Sequence, residues 1–162
     1  MTLRALLNKV FGRKLIFRLR YFRQRRRFPD LDNPKDYSEH IISAILTDDF
    51  LKYADYPDKI KVRDYVRSKG LDSILLEHYA YFDSPEDINP ERLPEKFVLK
   101  TNRGASAKDV SLCLDKKTFD WETAKRKLAK AMKHEFEYEL HYNAIAPRII
   151  CEELIEVPDG KF

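Results

Sequence analysis

Glycine is scarce in this chain, with four residues in 162, at positions 12, 70, 104 and 160. That scarcity excludes a Walker-type phosphate loop, which needs two glycines and a Gly-Lys-Ser/Thr ending within about eight residues. Cysteine is rarer still. Cys113 and Cys151 have no metal-ligand spacing and read as buried thiols in a reducing compartment. No apolar run approaches the roughly 20 residues that cross a bilayer. No uninterrupted apolar stretch with a small-residue cleavage site marks a secretory leader either, so the expected setting is the cytoplasm. The four histidines, His40, His78, His134 and His141, show neither metal nor triad spacing and read as surface or packing residues. Glu135, Glu137 and Glu139 alternate with aromatics, as a solvated face does, and not as paired acid–base carboxylates.

What is present is enough apolar material for a core (43%) under a heavily charged surface (36%). The charge is unevenly placed. Residues 1–27 hold Lys9, Lys14 and eight arginines with no acid, which leaves the remainder at −6 against an overall +4. Leu3, Leu6, Leu7, Val10 and Phe11 in this arm fall on one helical face. Leu15, Ile16, Phe17, Leu19 and Phe22 follow, interrupted by arginines. Such a basic amphipathic arm fits peripheral contact with an anionic membrane surface, contact with nucleic acid, or a helix docked on its own domain by its leucines. Phe17, Tyr21, Phe22 and Phe28 match no stacking-platform motif, which argues against nucleic acid.

Beyond the arm, Pro29–Pro34 reads as a linker, and Asn33-Pro34 as a helix start with Tyr37, Ile41 and Ile45 as its core stripe. A second helix is predicted from Asp58 to the left-handed cap at Gly70, with Val62, Tyr65 and Val66 inward. A strand is predicted over Ile74–Phe82 and a short capped helix at Ser84-Pro85-Glu86-Asp87. Next come a strand over Phe97–Asn102, a small-residue turn over Arg103–Lys108, and a strand over Asp109–Leu114 with Val110, Leu112 and Leu114 on the buried side. Asp120 caps a helix presenting Trp121, Ala124, Leu128 and Ala131 on one face, and Arg148–Ile155 is a third strand. The division expected is a basic arm and linker (1–32), a helical lobe (33–96) and a nucleotide-binding part (97–162).

Holding ATP without a Walker loop takes a strand lysine aimed at the phosphates, a small-residue turn whose backbone N–H groups close over them, and a strand edge for the adenine. Phe97–Val110 supplies the first two and Ile149–Ile155 the third. Alone, each has a bland reading: a strand lysine is usually a snorkelling edge residue and a Glu-Glu pair a solvated face. Their order and spacing carry more. Together with the NPK segment at Asn33–Lys35, DKIKVRDYV from Asp58, LPEKFVLKTNRG from Leu93 and APRIICEELIE from Ala146 to Glu156, the chain resembles the TupA-like branch of the ATP-grasp superfamily. That branch is linked to teichuronopeptide and other surface-polysaccharide synthesis.

The resemblance implies a mixed α/β fold: a helical N-terminal lobe, then an ATP-grasp sheet with a hairpin phosphate loop and an adenine-hinge strand. It implies Lys59 and Lys100 as the two ATP-phosphate lysines, and Gly104, Ala105, Ser106 and Ala107 as the phosphate loop. Glu152 would face the adenine amino group, with Glu153, Leu154 and Ile155 as the hinge; Arg63 is a further match. The loop keeps one glycine where the family is richer, so a stiffer or differently shaped loop is expected, with Lys108 adding charge or blocking the site. The family's Mg²⁺ ligands lie past the hinge, so no metal ligand is nominated, and Glu156 and Asp159 are local candidates for the ribose. The implied chemistry is ATP-dependent carboxylate activation through an acyl phosphate, with an acid and an amine as substrates. With the catalytic half expected beyond Phe162, these residues alone are expected to be inactive. Two alternatives stand beside this: sugar transfer in polysaccharide synthesis, and a non-catalytic ATP-grasp module that binds a partner or a membrane surface.

Overall fold

The computed structural model describes residues 3–47, 49–104 and 106–155, with side chains from Gly12 onward, Asp49 apart. Two compact units emerge: Met1–Ala54 with Glu135–Ala144, and Asp55–His134 with Ile145–Phe162. Among the described residues no helix is long and apolar enough to cross a membrane.

The first unit is helical. Its α1 runs over Leu3–Arg25 but breaks at Gly12, where φ 70° and ψ 156° interrupt the helical path. The part after the break docks through Phe17 and Tyr21, both buried, with Phe17 edge-on to Tyr138 at 5.6 Å. Of the three readings of the arm, docking by its leucines is not what the described part shows: Leu15 and Leu19 face solvent. The side chains of Leu3, Leu6, Leu7, Val10 and Phe11 lie outside the described set. Helix α2 spans Tyr37–Leu46 and starts at Asp36, not at Asn33-Pro34. Asp36 and Glu39 form a reciprocal capping box that fixes the start: the Glu39 N–H donates to Asp36 (2.9 Å), and the Asp36 N–H donates to Glu39 (3.2 Å). Glu39 therefore turns inward, and Tyr37, two residues earlier on the opposite side, is 81% exposed while Ile45 is buried.

The Glu39 carboxylate, though fully buried, is saturated with donors. It accepts from Arg27 Nη1 (2.5 Å) and from the N–H groups of Lys35 (2.7 Å), Asp30 (3.1 Å) and Asp36. The Lys35 N–H above all, with the Arg27 guanidinium, pulls its carboxyl down to about 2 against the cost of burial. Tyr21 donates its hydroxyl to Asp36, tying α1 to the same cluster, and burial with that bond pushes the phenol up to about 12.

The second unit carries one antiparallel sheet in the order β1-β4-β2-β3, from β1 (His78–Phe82), β2 (Phe97–Thr101), β3 (Ser111–Cys113) and β4 (Ile149–Glu152). Helix α3 (Val62–Ser68) precedes the sheet, and α4 (Trp121–Met132), capped by Asp120 through the Thr123 N–H at 2.9 Å, follows β3. One sheet face supplies Phe97, Leu99, Cys113, Ile149 and Cys151 to a core closed by Leu128 of α4. Phe119 and Trp121 pack against Phe97 at 5.5 and 5.7 Å. Helices followed by an antiparallel sheet with a β2–β3 hairpin match the mixed α/β class expected.

Several local expectations change. Cys113 stands opposite Phe97 and Ser111 opposite Leu99, so the hairpin buries Ser111 and Cys113 and turns Leu112 and Leu114 outward, the reverse of the alternation read from sequence. The large Phe97 and Leu99 choose the core face, and register carries β3 with them. Helix α3 is shorter than predicted and turns Arg63 inward, leaving Tyr65 47% exposed, because the guanidinium donates to the Leu76 carbonyl at 2.7 Å. Strand β1 begins four residues late, since Asp72–Ile74 forms a 3-10 turn. Strand β4 ends at Glu152.

Glu39 gives a pH-dependent expectation. Its folded pKa lies below the usual 4.5, so its stabilisation is full above that value and disappears as pH falls through about 2. Glu39→Gln is expected to lower the urea midpoint at neutral pH, and the gap to wild type should close across that acidic window.

Candidate functional site

Opposite the core, the second sheet face gathers polar groups. Register places Val98 and His78 across from Glu152, and Lys100 across from Ile150. Val98 and Ile150 form a buried apolar floor between them. Lys100 Nζ pairs with one Glu152 oxygen, and His78 Nε2 lies 3.2 Å from the other. His78 Nδ1 is 2.8 Å from the Tyr81 hydroxyl. Burial first, then the nearby Arg63 charge, holds His78 below its ordinary value, so the ring is neutral at physiological pH. The tautomer consistent with this network donates from Nε2 to Glu152 and accepts the Tyr81 hydroxyl at Nδ1.

Lys59 reaches the same place from a separate turn, and Asn102 accounts for how. The buried Asn102 amide donates to the Asp58 carboxylate (3.1 Å) and the Ala146 carbonyl (3.0 Å), and accepts the Arg148 N–H (2.8 Å). Its own backbone N–H donates to Arg148 (2.9 Å), and its carbonyl accepts the Lys59 N–H (3.0 Å). Asp58 closes its turn by accepting the Ile60 N–H (2.9 Å). Three chain segments thus meet on one side chain. From there Lys59 Nζ donates to the Gly104 carbonyl at 2.6 Å and, more weakly, to that of Asn102 at 3.4 Å. Burial, followed by the like charge of Lys100, lowers the Lys59 pKa, while Glu152 opposes the shift. The two lysines are within electrostatic reach of each other.

The loop after β2 has a fixed beginning. Arg103 turns away from Lys100 and donates from Nη2 to the Met132 (2.8 Å) and His134 (2.9 Å) carbonyls, capping the C-terminal end of α4. Gly104 sits so close to Thr101 that a Cβ there would come within 2.9 Å of the Thr101 hydroxyl oxygen. That oxygen is buried and has no partner among the described residues. Ser106 and Ala107 are exposed; Ser106 caps a short turn by accepting the Lys108 N–H at 3.2 Å. Lys108 also faces solvent. Ala105, Glu156 and Asp159 lie outside the described residues. Past β4, the Glu153 N–H donates to the Glu77 carbonyl at 2.8 Å, Leu154 is half-buried and Ile155 is 60% exposed.

The structure therefore brings Lys59, Lys100, Gly104 and Glu152 together and leaves Ser106, Ala107 and Ile155 at the surface. A family model described as TupA-like ATP-grasp matches residues 39–161. The chain belongs to the TupA-like ATP-grasp family. No curated protein and no solved structure matches it. Family membership brings an ATP-grasp type of function, with ATP as the ligand of the class.

The donor set fits that ligand. Lys59 and Lys100 bring two ammonium groups to one place, with Glu152 and Asp58 as their present counter-charges, and a polyphosphate would offer them stronger anionic partners. Among the described residues no group of three or more His, Cys, Asp or Glu side chains converges to hold a metal ion, so no residue of this TupA-like chain is assigned to Mg²⁺. Sequence reading missed Asn102, Asp58 and His78. A polar residue just past the strand, two positions after its lysine, was the available signal for Asn102, whereas the pairing of His78 with Glu152 has no local signature.

Two outcomes are expected here. Asn102→Ala takes one donor from the buried Asp58 carboxylate, one from the Ala146 carbonyl and the acceptor from the Arg148 N–H, and should cost on the order of 3 kcal/mol in urea denaturation. A loss below about 1 kcal/mol would remove the central role given to this amide. The second concerns His78. Its folded pKa is lowered, so the unfolded imidazole takes a proton that the folded one refuses, and stability declines as pH falls below 6.5. His78→Gln, which retains a donor for Glu152, should flatten part of that decline in a series of thermal melts across pH; the part due to His141, also lowered by burial, should remain.

Proposed function

We propose that this chain is the ATP-binding portion of a ligase-like enzyme that joins a carboxylate to an amine in the assembly of a cell-surface polysaccharide or teichuronopeptide. The observation that carries the nucleotide reading is the convergence of Lys59 and Lys100 beside Glu152 on one sheet face. In this reading Lys100, from within β2, holds the phosphates nearest the base, and Lys59 exchanges the Gly104 carbonyl for the outer phosphates. Glu152 accepts the adenine amino group while Lys100 and His78 fix its rotamer, Val98 and Ile150 floor the ring, and Glu153, Leu154 and Ile155 border it. Gly104 through Ala107 offer backbone N–H groups to the phosphates. When bound, ATP would supply a phosphoryl group to a substrate carboxylate, with ADP leaving, and an amine would then displace inorganic phosphate from the acyl phosphate and lose a proton to give the amide. The lysines contribute charge where negative charge accumulates, and carry no proton-transfer role.

The same reading takes residues 97–162 as the nucleotide-binding part, 33–96 as a helical lobe, and the basic residues 1–27 as a peripheral contact with the cytoplasmic face of the membrane, where surface polymers are built.

Ligand-induced stabilisation tests the nucleotide site. ATP at about 100 times its Kd is expected to add about 2.7 kcal/mol, read as a rise in melting temperature. Lys100→Ala should abolish the rise and Lys59→Ala should reduce it. GTP should shift the melt less than ATP, because a carboxylate repels the guanine O6. An ATP-insensitive wild-type melt would end the nucleotide reading.

A further inference from the structure

Helix α1 carries two apolar stripes on opposite sides, and the fold uses one of them. Phe17 and Tyr21 are buried at 9% and 4% exposure. Leu15, Leu19 and Phe22, spaced four and three residues apart and so aligned along the helix, are 38%, 52% and 38% exposed. Phe28 extends this outer stripe by stacking on Phe22 at 4.7 Å, with the Arg18 guanidinium 5.5 Å from its ring. On the helix, Arg18 and Arg25 border the stripe on one side and Arg23 on the other.

From this geometry we infer that the outer stripe of α1 lies in the interface of an anionic phospholipid bilayer, with the leucines and phenylalanines among the upper acyl carbons and the flanking guanidiniums at the headgroups. The inference rests on the reading of the arm as a membrane contact, and is independent of the nucleotide site. Charge complementarity selects the partner. Ten cations and no acid in residues 1–27 call for a strongly negative surface. The hydrocarbon stripe between the cations separates a bilayer from nucleic acid: phosphate backbones satisfy arginines but give Leu15, Leu19 and Phe22 nothing to bury against. A second copy of the chain would set cation against cation along the same border. Interfacial seating is the mode, because no helix among the described residues is long and apolar enough to cross.

Co-sedimentation of the full chain tests this, using vesicles of phosphatidylcholine mixed with phosphatidylglycerol, and pure phosphatidylcholine as control, at physiological ionic strength. Wild type is expected to pellet with the mixed vesicles and stay in solution with the neutral ones. The combined Leu15→Ser, Leu19→Ser and Phe22→Ser variant should weaken partitioning by about tenfold or more. Arg18→Gln, Arg23→Gln and Arg25→Gln together should reduce the preference for anionic lipid, and an unchanged preference would count against the guanidinium border. Leu19→Trp provides a readout that does not require the triple variant to fold: its emission, after subtraction of the native Trp121 signal, should shift to the blue and be quenched by brominated acyl chains. Three results would each overturn the inference: undiminished pelleting of the serine variant, equal pelleting with neutral vesicles, or an unshifted indole emission from the vesicle-bound Leu19→Trp protein. Duplex nucleic acid that displaces the vesicles and binds the serine variant as well as wild type would assign the arm to that partner instead. The ATP-induced melting shift, measured on the serine variant, keeps the two readings apart: its loss bears on the nucleotide site, and vesicle binding alone bears on the arm.

Discussion

The candidate site exists because one buried amide is fully used. Asn102 spends both amide hydrogens, its side-chain oxygen and both backbone groups on two other segments, Asp58–Lys59 and Ala146–Arg148. Neutral hydrogen bonds add little net stability when made, but an interior carboxylate or N–H left unmatched is costly. That asymmetry makes the junction nearly all-or-none. With it in place, the Asp58–Lys59 turn is held against the end of β2, and a lysine 41 positions before Lys100 in the chain arrives beside it.

The charges so assembled are not at rest. Lys59 is pushed down by burial and by Lys100, and Glu152 offsets part of that by lying between the ammonium groups and His78. A sheet built for stability alone would place hydrocarbon where Lys100 and Glu152 stand, since buried ion pairs seldom outperform apolar isosteres. The remainder of the second unit supports these residues from behind: the core of Phe97, Leu99, Ile149 and Leu128 fixes the pleat that directs Lys100 and Glu152 to the far face. The first unit solves a similar problem differently. Its buried carboxylate, Glu39, is met mostly by backbone N–H groups, so it acts as the end of a helix and not as chemistry.

Sequence reading was sound where a local rule was enough. Asp120 capping α4, Ser84 capping the turn at Pro85, and the Phe97 strand with its hairpin all follow from spacing within a few residues. It went wrong where a distant partner decides. Val110, Leu112 and Leu114 look like an inward stripe until Phe97 and Leu99 claim the core and the register turns β3 over. Tyr65 looks more suited to burial than Arg63 until the Leu76 carbonyl accepts the guanidinium. In the site, Lys59, Lys100 and Glu152 were legible through a resemblance carried by ordered blocks. His78 was not, because what gives it meaning is the opposite register position on β4.

Arg103 has a consequence of its own. Its guanidinium grips the last carbonyl of α4, at Met132, and that of His134 just past the helix, while its backbone opens the loop that follows β2, so the helix terminus and the loop origin are one mechanical part. Each residue added to or removed from α4 would swing those carbonyls by about 100° around the axis and out of the fork's reach. The span from Trp121 to Met132 is thus tied to a set number of turns by a residue outside the helix.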